Sequence, residues 1–205
     1  MIVRKKRLLT WLLVLVALAA VLCVVYLCLP GIMANTIAYA GELGSDAIYG
    51  GGYSFRHGTL GENTRAVSYY VERWSYGELV SRTCVGGAPG ETEAQDFDVG
   101  YSIDEETGEH SVFFGETLAP LETPCFEPLS AFGVAPMLGR LGAKIEPGVS
   151  IPLVCVCAWP YSTVPDMPQG LSADSDLAAV SEDIPTLVVL SQVYGAECQE
   201  PGEVI

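Results

Sequence analysis

A chain of 205 residues, half of them hydrophobic, with a formal net charge of −15 has room for one outer domain of ordinary size. It is a poor match for nucleic acid, whose phosphates are met by lysine and arginine. The charge is unevenly placed: Arg4, Lys5, Lys6 and Arg7 supply four of the ten basic residues, and the first acidic residue is Glu42. Beyond residue 40, six basic residues face 25 acidic ones, a net of −19. That balance argues against lying flat on an anionic leaflet and favours a solvated acidic surface.

Residues 8–29 read LLTWLLVLVALAAVLCVVYLCL and hold no charge. As a helix they would extend about 33 Å, enough for a bilayer core of about 30 Å. The basic tail 1–7 keeps the N-terminus cytoplasmic and sends the rest outside, so 8–29 is predicted to be a single-pass signal anchor in the cell membrane. A cleaved signal peptide is the competing reading, because Ala38-Tyr39-Ala40 resembles a cleavage site. The apolar run is longer than the usual h-region of about 7–15 residues, and the candidate site lies far past its end.

Residues 30–52, rich in small residues and closed by Gly50-Gly51-Gly52, read as a juxtamembrane stalk. From Tyr53 to Cys198 the pattern is that of short strands. Arg65–Tyr76 is rich in aromatic and β-branched residues, and Leu79–Val85 returns as its hairpin partner. In Asp96–Asp104, Phe97, Val99, Tyr101 and Ile103 alternate with polar residues, which predicts one buried face and one wet face. Asp104–Glu109 reads as a turn, and His110–Gly115 as the returning strand. Four prolines in 116–136 break regular structure. Met137–Ile145 is a short-strand candidate. Ile151–Trp159 and Pro185–Tyr194 are apolar on both faces and read as buried strands. Ser172–Asp183 suits a short helix capped by Ser172 or Asp174. Residues 199–205 read as a loose tail. Roughly eight strands with turn signals and no long amphipathic helix beyond the anchor predict an all-β fold, a single antiparallel β-sandwich or barrel-like extracytoplasmic domain.

Chemistry-bearing residues are few. Outside the lipid stand five cysteines, Cys84, Cys125, Cys155, Cys157 and Cys198, an odd number that leaves a thiol free or paired with another chain, with bridges that spacing cannot assign. There is no C-x-x-C and there are two histidines in all, so no metal site and no cofactor are specified. No arginine follows Cys155, Cys157 or Cys198, so a transpeptidase-type Cys-His-Arg set is not written. Cys155 and Cys157 share a strand face, but their apolar neighbours predict burial, and a reactive thiol needs exposure. Asp96, Asp98 and Asp104, with Glu105, Glu106 and Glu109, read as a solvated strand face and turn. His57 and His110 read as surface residues. Tyr69, Tyr70, Trp74 and Tyr76 are the best binding candidates, because aromatics stand on both faces of their strand and only one face need be buried.

The expectation is a membrane-anchored, acidic β-domain of a bacterial-type envelope. It would act as a non-catalytic binding or assembly module for an envelope protein or polysaccharide. The alternatives are an envelope enzyme using carboxylates or thiols, and a structural subunit of a membrane complex that packs through Ala17, Ala19 and Ala20 of the span.

Overall fold

The computed structural model describes residues 2–28, 33–43, 50–90, 92–104, 106–107, 109–121, 131–159, 175–199 and 202. A first helix, α1 (Ile2–Cys28), is followed by β1 (Thr36–Glu42), β2 (Gly50–His57), β3 (Ala66–Ser75), β4 (Glu78–Pro89), β5 (Gln95–Ile103) and β6 (His110–Phe114). Then come β7 (Thr117–Pro120), β8 (Ala131–Pro136), β9 (Ala143–Lys144), β10 (Ser150–Trp159), the short helix α2 (Leu177–Val180) and β11 (Thr186–Gly195). The side chains described in α1, residues 11–24, are all exposed. Among the described residues no helix is long and apolar enough to cross a membrane.

The fold is mostly β, in two antiparallel sheets. One has six strands in the order β7-β6-β5-β2-β1-β9, the other five in the order β4-β3-β11-β10-β8. They meet face to face in a sandwich-like arrangement across one core. The six-stranded sheet contributes Ile37, Phe55, Val99, Tyr101, Val112 and Phe114, and the five-stranded sheet Val67, Tyr69, Leu153, Val156, Val188 and Leu190. The period-two strands behave as their spacing requires: Val99 and Tyr101 point inward while Asp96 stays exposed. The turn after β5 closes through Asp104, whose carboxylate accepts from the backbone N–H groups of Glu106 and Thr107 at 2.9 and 2.8 Å, a local bond that favours the turn.

β10 and β11 are buried on both faces because the five-stranded sheet carries a second apolar layer on its outer side. There Met137, Cys155, Cys157, Leu187 and Val189 pack with Ile184 and, from α2, Leu177 and Val180. Asp176 caps α2, accepting from the N–H groups of Ala178 and Ala179; Ser172 and Asp174, expected as caps, lie outside the described residues.

Four expectations are corrected. The segment read as a stalk supplies β1 and the start of β2, paired from Ile37 opposite His57 to Glu42 opposite Tyr53. Gly41, Gly50, Gly51 and Gly52 are strand glycines. A Cβ on Gly52 would meet Leu43 at 2.6 Å and the Phe113 ring at 2.9 Å, so the absence of a side chain is what lets them pack there. The tail read as loose is tied down at its two described residues: Gln199 N–H donates to Ser68 Oγ at 2.9 Å and Gly202 N–H to the Cys84 carbonyl at 2.8 Å. His57 is a buried residue at 5% exposure rather than a surface one. Met137–Ile145 contains only the two-residue β9.

Candidate functional site

At one end of the sandwich the ends of β2, β4 and β6, the start of β5, and parts of β3 and β11 stand apart and leave a cleft of about 650 Å³. That volume lies within the range of about 300–1,000 Å³ common to small-molecule sites. Alternation along each strand decides what faces it. On β3, Val67 and Tyr69 turn inward; on β11, Gln192 and Tyr194 continue the inward series of Val188 and Leu190. β2 contributes His57 and β6 contributes Phe114.

The Tyr69 and Phe114 rings stack at 4.8 Å between centroids with planes 10° apart. Deeper in, the Tyr194 hydroxyl donates to Gln192 Oε1 at 2.8 Å. Gln192 is 2% exposed, and among the described residues its amide N–H₂ donates to nothing. The buried side-chain atoms left without a hydrogen-bond partner among the described residues are Arg73 Nε and Arg82 Nε; the Gln192 amide instead faces the open cleft. His57 Nδ1 lies 2.8 Å from the Gly58 carbonyl; with Nδ1 donating, Nε2 of the neutral ring is the acceptor. Burial pushes the hydroxyls of Tyr69 and Tyr194 up from their ordinary range, with the neighbouring Tyr69 adding to the effect on Tyr194. Both therefore stay protonated and uncharged.

The charges at the cleft are all acidic. Asp96 is held by two hydrogen bonds from Arg56, at 2.6 and 2.7 Å. These bonds, before the charge of the guanidinium itself, keep its carboxyl below the usual range. Asp98 and Glu116 also line the cleft and form no ion pair among the described residues. An exposed ion pair contributes only about 0–1 kcal/mol, so the Arg56–Asp96 pair adds little to the stability of the cleft's rim.

The four aromatic residues singled out in the sequence do not form one surface. Tyr69 lines the cleft. Tyr70 lies on the opposite face, 1% exposed, with the Arg82 guanidinium 4.4 Å above its ring. Trp74 is on that face too, packed against the layer of Cys155 and Cys157, and its indole N–H donates to Glu72 Oε2 at 3.4 Å. Tyr76 is exposed in the β3–β4 turn at φ 46°, followed by Gly77 at φ 82°. Two successive positive φ values are what a tight two-residue hairpin turn demands.

Among the described cysteines Cys84, Cys155, Cys157 and Cys198 all carry free thiols; Cys125 lies outside the described residues. Cys84 is buried and donates to the Gly86 carbonyl at 3.5 Å. Cys198 is exposed and donates to the Ala88 carbonyl at 3.1 Å. The Cys155–Cys157 hydrogen bond, with burial second, pushes the Cys157 thiol far up. No group of three or more His, Cys, Asp or Glu among the described residues is placed to hold a metal ion.

Gln192, Tyr194 and Phe114 are not singled out by the sequence, which reads His57 as a surface residue. The one available signal was Ser191-Gln192, a polar pair inside an otherwise apolar strand. No family model, curated protein or solved structure matches the chain.

Proposed function

We propose that the protein is a membrane-tethered binding module of the cell envelope that holds its ligand in the cleft of its outer β-domain without catalysing a reaction. The tether is residues 8–29, which carry no charge and follow four basic residues; residues 8–28 lie in α1. The observation that carries the binding role is the cleft itself, with aromatic walls and a buried carboxamide whose donors face no protein partner.

The test uses the full chain in lipid nanodiscs, mixed with washed, membrane-free envelope polymer. Thr117, on the edge strand β7, lines the cleft, and Thr117→Trp should fill its mouth without cutting into the core. The expected result is retention of the wild-type chain and at least a tenfold loss in the Thr117→Trp variant, with circular dichroism unchanged. Equal retention of both would overturn the cleft as the binding site. Protease added to intact cells checks the tether: digestion of the β-domain is expected, and full protection would refute an outward orientation.

A further inference from the structure

The chemistry of the cleft also selects a class of ligand. Resting on the reading of the cleft as a binding site, we infer that the ligand is an uncharged, hydroxyl-rich glycan segment bearing carbonyl groups.

Three observations converge. The deepest polar groups, the Gln192 amide and the Tyr194 hydroxyl, are neutral. The amide N–H groups face the cleft and can donate to an oxygen acceptor, which a sugar hydroxyl or an acetamido carbonyl supplies. The walls are the rings of Tyr69, Phe114 and Phe97, suited to the C–H face of a pyranose by the same dispersion and edge contacts that pack rings in a core. The third observation is the sign of the charges. No lysine or arginine lines the cleft, and the nearby Arg56 is engaged by Asp96. Asp98 and Glu116 accept hydrogen bonds from hydroxyls and repel phosphates and uronates. The net charge of −19 beyond residue 40 extends that repulsion outward. A cationic ligand would gain from these carboxylates, but they stand at the wet side of the cleft and leave the Gln192 donors unmatched.

The test measures binding to the full chain in nanodiscs with three probes. These are a tetramer of N-acetylglucosamine, its deacetylated and cationic form, and a glycerol-phosphate oligomer. The uncharged tetramer should bind at least tenfold tighter than either other probe. Gln192→Glu keeps the acceptor for the Tyr194 hydroxyl and the side-chain shape but removes the amide donors. It should weaken the tetramer about tenfold, the size expected for one lost buried hydrogen bond. Should that variant fail to fold, Thr117→Trp carries the same comparison from the mouth of the cleft. Tighter binding of the phosphate oligomer or of the amine form overturns the inference, and so does binding of none of the three. In any of those cases a continuing difference between wild type and Thr117→Trp on envelope polymer shows that the cleft reading survives and only the ligand class has failed.

Discussion

β10 and β5 are antiparallel strands of ten and nine residues, yet they meet different surroundings. From Ile151 to Ala158 every residue of β10 is buried, whereas β5 begins with two exposed residues and is fully enclosed only at Val99, Gly100 and Tyr101. β10 and β11, in the five-stranded sheet, are dry on both sides, whereas β5 is dry on one. The difference is what each outer face allows a charge to do. On the wet face Arg56 and Asp96 pair at about half exposure each. On the dry face Glu72, 5% exposed, accepts from Ser191 Oγ at 3.1 Å, Ser150 Oγ at 3.4 Å and Trp74, with Arg82 Nε 3.5 Å away. A charge is tolerated in a dry layer only when several donors surround it.

The contrast can be tested in descending order of effect. Under native conditions Cys155 and Cys157 should react with a thiol reagent on the order of a thousandfold or more slower than exposed Cys198, equivalent to an opening free energy above about 4 kcal/mol. Comparable rates, read by mass spectrometry, would mean the outer layer is open to water. Leu187 and Leu190 sit on opposite faces of β11, each fully buried. Leu187→Ala and Leu190→Ala should each cost about 3 kcal/mol in denaturant unfolding, and a much smaller loss at Leu187 would show that the outer layer is loosely packed. Glu72→Ala should cost about 2 kcal/mol by stripping the acceptor from two serines and an indole.

The smallest effect belongs to the wet pair. Arg56→Gln should cost under about 1 kcal/mol at neutral pH, because both partners are half in water. Its signature is the titration of Asp96. The carboxyl is lowered in the folded protein, so its contribution is present above the ordinary value of 3.8 and is lost as pH falls through the depressed one. In Arg56→Gln the NMR midpoint of Asp96 should rise back towards 3.8. A midpoint that does not move would mean the two hydrogen bonds are not what holds it down.

The strands of the two sheets were legible to different degrees for the same physical reason. β5 announces itself by alternation, and β10 and β11 by unbroken apolar runs bounded by turn residues. β1 did not, because Ala38, Ala40 and Gly41 carry little hydrophobic signal and the glycines of β2 look like a linker until Phe113 is seen lying against them. The aromatic group was half legible: Tyr69 and Tyr70 are adjacent, so on a strand they must face opposite ways, and only one of them could line a cleft. The cleft itself was not legible. It is assembled from strand ends distant in sequence, and its polar floor is a glutamine inside an otherwise apolar strand.

Cys198 and Gly202 lie against β4, an outer strand of the five-stranded sheet, and donate to the carbonyls of Ala88 and Cys84. A bare outer strand is a template on which another chain can add itself. Gly202 and Cys198 cover two of the β4 carbonyls and so leave less of that edge open to a neighbouring chain.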